Sequence, residues 1–315
     1  MPVTLDPDAA AVFKAFQEAG RPPYETVSPA EARAFYLQAR FVANPEPPEL
    51  KLVEALAIPS PAGPIGARLY TPKALRQSGG LAPALVFFHG GGWVIGNLDS
   101  HDVVCRTLAH EGELIVISID YRLSPEHKFP AAVEDAIAAT DWIARNASQL
   151  GIDAARLMVG GDSAGGNLAA VVAIHARDAG GPKLAGQVLI YPGTDFRMSH
   201  PSHSDPSTSI LLTHSVIRWF RDHYLNSAAD ADDWRASPAR VDNLAGLPPA
   251  YLLTAGADPL RDEGEEFANR LKLAGVPVTT RSFPGQFHGF FTMGKLLPQA
   301  NVAAREIGAW LKALN

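Results

Sequence analysis

Ser163 sits in the run Gly161-Asp162-Ser163-Ala164-Gly165, between apolar residues 157–159 and a helix-forming run at residues 167–176. A serine hydroxyl is a useful nucleophile only when a base takes its proton, so it must be held where a histidine reaches it and a carbonyl can approach. The G-x-S-x-G pattern meets that need when a strand precedes it and a helix follows, because the sharp turn between them exposes the hydroxyl. Flanking glycines suit a turn in which neighbouring backbones come too close for side chains. A phosphate-binding loop is the competing reading of any glycine-rich turn between a strand and a helix. The spacing argues against it, since Gly165 is followed by Gly166 and Asn167 rather than by Lys and then Ser or Thr.

A second glycine run, His89-Gly90-Gly91-Gly92-Trp93, follows apolar residues 84–88. Its bare backbone can aim N–H groups at a developing oxyanion, and with the N–H of Ala164 it makes a two-source oxyanion hole. An acid and a base must then follow in the order Ser, acid, His, on loops after later strands. Asp258, in a loop after the apolar run 250–254, and His288, in a loop after the extended stretch 277–283, satisfy that order. His89 reads as a brace for its own glycine loop. His200 and His203 carry a faint metal spacing, but further ligands in a defined pattern are missing, so a solvated loop is the better reading and no metal or cofactor is expected. Cys105, the only cysteine, falls on a helical apolar pattern and reads as a buried, inert thiol.

These residues need a scaffold of alternating strands and helices. From residue 50 onward short apolar runs alternate with helical patterns, which predicts a largely parallel sheet flanked by helices. Strands are expected at 84–88, 114–119, 157–159, 187–190 and 250–254, and helices at 103–111, 131–146, 165–179, 263–274 and 300–314. Residues 196–235 break the rhythm with a polar loop at 200–209 and an aromatic amphipathic stretch at 215–225, and read as an insertion. The first fifty residues hold two helical patterns, 8–19 and 29–41, the second with Ser28 as N-cap, Pro29 at the first helical position and Glu31 three residues after the cap. Phe13, Phe16, Phe35, Tyr36 and Phe41 recur at roughly helical spacing. Helix packing is the favoured reading of that stripe, with a substrate-facing surface as the alternative. The division that follows is 1–50 as N-terminal cap helices, 51–195 and 236–315 as the two parts of a catalytic domain, and 196–235 as a cap insertion.

Composition narrows the function classes. At 315 residues, 47% hydrophobic and 19% charged, the chain has the profile of a packed globular protein. A formal charge of -6 and the lack of a long Lys/Arg run give nucleic acid and anionic membranes no basic face to hold. One cysteine makes an intramolecular disulfide impossible, and the acidic, proline-bearing residues 1–10 do not resemble a secretory signal, so a cytoplasmic location is expected. No apolar run is long enough to span a bilayer.

Taken together, the chain resembles the hormone-sensitive-lipase-like family of esterases, also called bacterial family IV, which includes the arylacetamide deacetylase relatives. The resemblance rests on the two glycine motifs, on Asp120-Tyr121-Arg122-Leu123-Ser124-Pro125-Glu126-His127 with Phe129-Pro130-Ala131-Ala132, on Tyr191-Pro192, on Asp258-Pro259-Leu260-Arg261-Asp262-Glu263 and on His288-Gly289-Phe290. It runs from about residue 50 to the C-terminus, with Ser124 where the family usually has Ala. It implies an α/β-hydrolase fold with a helical cap and a triad of Ser163, Asp258 and His288. It further implies an oxyanion hole shared by Ala164 with Gly90, Gly91 or Gly92. A serine carboxylesterase acting on small ester substrates of short to medium chain is the expected function. Trp93, Leu211, Leu212 and Trp219 are candidate walls of an apolar pocket. An amidase or lactonase with the same triad is the alternative within enzymes. A ligand-binding receptor on the same scaffold is the alternative outside them, and the presence of His288 counts against it. Pairing of two copies through the edge near 279–283 and the last helix is expected by family analogy only.

Overall fold

Ala84, Val86 and Phe88 pack to one side of a central strand while Leu85 and Phe87 pack to the other, and all five are fully buried. Burial on both faces is why this segment reads as an unbroken apolar run rather than an alternating one. The computed structural model describes residues 3–75 and 80–314. Its strands in chain order are β1 (Leu52–Ile58), β2 (Ile65–Thr71), β3 (Ala82–Phe88), β4 (Ile115–Asp120), β5 (Ile152–Asp162), β6 (Gly186–Ile190), β7 (Ala250–Ala257) and β8 (Val278–Phe287). They form one sheet in the order β1-β2-β4-β3-β5-β6-β7-β8. The pairs β1/β2 and β2/β4 are antiparallel, and the other pairs are parallel.

The helices are α1 (Pro7–Glu18), α2 (Pro29–Ala43), α3 (Asp102–Gly112), α4 (Ala131–Arg145), α5 (Ala164–Asp178), α6 (His214–Tyr224), α7 (Arg261–Leu273) and α8 (Pro298–Ala313). One apolar cluster joins one sheet face to α4, α5 and α7, and a second joins the other face to α3 and α8. This is the α/β-hydrolase fold expected from the sequence, a mostly parallel sheet covered on both faces. α2 begins as the sequence predicts: Ser28 Oγ accepts from the Glu31 N–H at 3.3 Å, and the Glu31 carboxylate accepts from the Ser28 N–H at 2.9 Å.

The first two strands were not singled out by the apolar pattern. β1 is largely exposed, β2 carries Gly66 and Ala67, and a half-exposed edge hairpin leaves a weak signature. β5 also starts earlier than expected, because its first half, Asp153 to Arg156, is partly exposed and holds no apolar run. β7 and β8 run on to Ala257 and Phe287, so Asp258 and His288 follow their strands directly. Residues of α2, of α6 and of the loop after Gly92 share a third, smaller apolar cluster with Ala32, Val94, Ile95, Val216 and Phe220 at its centre.

Candidate active site

Ser163 lies between β5 and α5 with φ 54° and ψ -117°, a backbone conformation that costs energy for any residue with a side chain. Its N–H donates to Ile190 O at 2.8 Å, which anchors the turn to β6. A Cβ on Gly161 would overlap the carbonyls of Phe88 and Gly165, and one on Gly165 would overlap Phe88 O. The two glycines are therefore required by the close approach of β3 to the turn.

The Ser163 Oγ is 2.8 Å from His288 Nε2, and His288 Nδ1 is 2.7 Å from Asp258 Oδ2. Asp258 is fully buried, and its Oδ1 accepts the Leu260 N–H at 2.8 Å, so its orientation is set from both oxygens. The structure thus brings together three side chains 125 and 30 residues apart in sequence, in the order hydroxyl, imidazole, carboxylate. An imidazole held in that way can take the serine proton through Nε2 while Nδ1 donates to the carboxylate. The ring of Tyr191, at φ 34°, lies 4.7 Å from the His288 ring and limits its swing.

Next to Ser163, the Gly90 N–H donates to Asp162 Oδ1 at 2.9 Å. Gly90 is thereby committed, and the N–H groups of Gly91, Gly92 and Ala164 are left without an acceptor among the described residues. Gly91 O accepts from Val94 and Ile95 N–H at 3.1 and 2.9 Å, which closes the loop into a tight turn. Behind it, His101 Nε2 lies 3.2 Å from Asp162 Oδ1, both buried. Burial works to raise the Asp162 pKa, but the His101 partner and the Gly90 N–H outweigh it and hold the carboxyl below its ordinary value. His89 braces the loop as expected, with Nδ1 2.8 Å from Gly90 O and its ring stacked on Tyr121 at 4.3 Å.

These groups open onto a cavity of about 530 Å³. Trp93, Leu211 and Leu212 line it, but Trp219 does not. Along α6 the helical phase turns Val216 and Phe220, four residues apart, toward the cavity, while Trp219 stacks on Tyr24 and packs tilted against His223. Phe13, Phe16, Phe35 and Tyr36 of α1 and α2 also line it, so the stripe favoured as helix packing faces the site, and Phe41 is exposed.

The loop around His200 and His203 is not a solvated loop. His203 is 2% exposed with Nε2 2.8 Å from the equally buried Glu263 Oε2, and Ser202 Oγ donates to Pro259 O at 2.6 Å. Glu263 Oε1 in turn accepts the Asp195 N–H at 3.3 Å. The segment packs over the start of α7 beside Asp258, which the polar sequence alone concealed. Burial drives the Glu263 pKa far up and the His203 pKa down, so both favour their neutral forms. Among the described residues no three His, Cys, Asp or Glu side chains are grouped to hold a metal ion, and no helix is long and apolar enough to cross a membrane. Cys105 is buried, as expected.

A hydroxyl, an imidazole and a carboxylate in line at the end of a parallel sheet, beside free backbone N–H groups, define an α/β hydrolase built for acyl transfer. A family model described as "alpha/beta hydrolase fold" matches residues 85–292. Esterase LipI of Mycobacterium tuberculosis is 45% identical over 262 residues, covering 82% of this chain and 81% of that protein. An ethyl acetate hydrolase of Pseudomonas putida is 37% identical over 309 residues, 95% and 96% of the two chains. A solved ester hydrolase from the metagenome of Lake Arreo superposes with a TM-score of 0.93 at 42% identity, covering 98% of this chain and 99% of the other. The chain belongs to the hormone-sensitive-lipase-like family of α/β hydrolases, and it is a carboxylic ester hydrolase.

Proposed function

We propose that the protein is a serine carboxylesterase that hydrolyses short- to medium-chain esters through an acyl-enzyme. The observation that carries this reading is the unbroken chain from Ser163 Oγ through His288 to Asp258. Ser163 attacks the ester carbonyl as His288 takes its proton; the carbonyl oxygen, now an oxyanion, accepts from the N–H groups of Ala164, Gly91 and Gly92. The alcohol then leaves with the proton from His288. Water repeats the sequence on the acyl-enzyme and releases the acid. Asp258 stays ionised and holds His288 in the tautomer that presents a bare Nε2 to the serine.

In this reading α1, α2 and residues 196–235 form the cap. Supporting it, Ser215 Oγ of α6 donates to Glu25 Oε1 of the segment between α1 and α2 at 2.6 Å, and both segments line the cavity. The substrate is a small molecule, because the reacting hydroxyl lines an aromatic-walled cavity of about 530 Å³. We place the protein in the cytoplasm on the ground of its single, buried cysteine. Pairing of two copies would use β8, one of the two outer strands, whose residues Thr279 to Ser282 are exposed, together with α8.

The test is hydrolysis of p-nitrophenyl acetate, butyrate and a long-chain ester by the wild type and by folded Ser163→Ala and His288→Ala variants. Turnover of the short esters with at least ~10³-fold loss in each variant is expected. A Ser163→Ala variant that keeps its rate would overturn the assignment of the nucleophile.

A further inference from the structure

Arg40 is a buried cation without a counter-charge in the wall of the cavity. It lies in the last turn of α2, is 5% exposed, and lines the same cavity as Ser163 and His288. Its Nε and Nη1 are buried with no hydrogen-bond partner, and among the described residues it forms no ion pair. The guanidinium rests over the face of Tyr36, with Cζ 4.7 Å from the ring centroid. Withdrawing a charge from water costs more than one ring face returns, so the native cavity holds an unanswered positive charge.

The acids of the cavity wall do not answer it. Asp162 is engaged by His101 and the Gly90 N–H, Asp195 by Arg197, Glu263 by His203 and the Asp195 N–H, and one oxygen of Glu25 by Ser215. Glu25 Oε2 and Glu263 Oε2 are themselves buried without a hydrogen-bond partner, yet among the described residues none of these acids pairs with Arg40. Arg21 adds a second cation to the same wall, its Nη1 donating to Phe35 O at 3.3 Å. The charge also reaches toward the reacting groups: against the larger effect of burial, Arg40 works to lower the hydroxyl pKa of Tyr24, Tyr36 and Tyr191, and the Tyr191 ring packs on His288.

We propose that Arg40 anchors an anionic substrate group, so that the preferred substrates are esters carrying an ionised carboxylate, such as half-esters of dicarboxylic acids, rather than plain alkyl esters. The proposal rests on the esterase reading of the same site. A carboxylate supplies the acceptors that the planar guanidinium lacks, and pairs with it more specifically than with an ammonium. A monoanion suits the cavity better than a dianion, because Asp162, Asp195 and Glu25 share its walls.

The experiment compares kcat/KM for the monomethyl esters of malonate, succinate, glutarate and adipate with that for the matching neutral dimethyl esters. The anion-to-neutral ratio is read within each protein, so any loss of folded fraction cancels. The wild type is expected to favour the half-ester at one or more chain lengths. Arg40→Met should lower that ratio roughly 10- to 100-fold, the range of a hydrogen bond to a charged group, and Arg40→Lys should restore part of it. A wild-type ratio below one at every length, or a ratio that Arg40→Met leaves unchanged, overturns the proposal. Should Arg40→Met fail to fold, the wild-type ratio and Arg40→Lys decide. Calorimetry of the four monomethyl esters with Ser163→Ala separates the proposal from the esterase reading. If p-nitrophenyl acetate is not hydrolysed, the esterase reading fails, while binding that is lost when Arg40→Met is added still supports the anion site. No binding of any half-ester refutes it.

Discussion

The Asp162 carboxylate accepts the Gly90 N–H at 2.9 Å, tying the residue before the nucleophile to the head of the glycine loop 72 positions away. His101 holds the same carboxylate oxygen from behind, in a buried setting. The bond ties down the start of the loop whose Gly91 and Gly92 N–H groups are the proposed oxyanion donors. Asp162→Asn keeps an oxygen for Gly90 but removes the charge that His101 faces. It should lower kcat for p-nitrophenyl butyrate by about 10²-fold with little change in KM, as loss of an aligned oxyanion donor does. Steady-state kinetics beside circular dichroism checks it, and a folded variant with wild-type kcat would show that the loop holds itself.

His89 carries a pH dependence of stability. Burial pushes its pKa down to about 3, with the charge of His101 adding to the effect. In the unfolded chain a histidine takes its proton near the ordinary value of ~6.5. Between those two values the unfolded state binds a proton that the folded state refuses, so stability falls as pH falls through that window, by up to about 1.4 kcal/mol per pH unit. Urea unfolding at pH 7, 6 and 5 should show the decline, and His89→Gln should make it shallower by up to one proton. An unchanged slope would mean that His89 is protonated in the fold.

The site was legible in the sequence wherever chemistry demands a fixed spacing. Ser163, Asp258 and His288 stand out because a nucleophile elbow needs its glycines, Asp258 follows a strongly apolar strand, and His288 follows a later extended stretch in the required order. The outer strand β1 was not legible, since an exposed edge needs no apolar pattern, and its partner β2 is short and interrupted by Gly66. His203 and Glu263 were hidden for another reason: they meet only in the fold, from separate elements, and a polar residue in a polar loop gives no sign that the loop is buried. Arg40 did leave a signal, its position four residues after Tyr36 on one helix face, but nothing in the sequence says that the face turns inward.

Arg33 staples α2 to the body of the protein. It donates to Val94 O at 2.8 Å, to Ser124 O at 2.9 Å and to both oxygens of Glu126 at 2.8 and 2.6 Å. The Arg33 bond holds the Glu126 carboxyl down at about 2, so this stabilisation is present above the ordinary carboxylate range of ~4.3 and is lost as pH falls through about 2. Glu126 is 54% exposed, so Glu126→Gln should cost under about 1 kcal/mol. Arg33→Ala also strips the two carbonyls and should cost about 1–3 kcal/mol. Thermal unfolding of both variants separates the contributions, and equal losses would assign the whole effect to the ion pair.

Gly92 and Phe220 couple the glycine loop to α6. Gly92 sits at φ 57°, and a Cβ there would run into the Phe220 ring. Gly92→Ala should therefore displace a candidate oxyanion donor and lower kcat by about 10²-fold. Phe220 is 8% exposed and lines the cavity, so Phe220→Ala should cost about 3 kcal/mol of stability, the low end for a buried Phe, and shift preference toward longer p-nitrophenyl esters. Removing the ring also makes room for the added methyl. The double variant should then recover part of the activity lost in Gly92→Ala, a coupling that a double-mutant cycle measures directly. Strictly additive losses would mean that backbone strain at Gly92, and not contact with α6, is what the alanine disturbs.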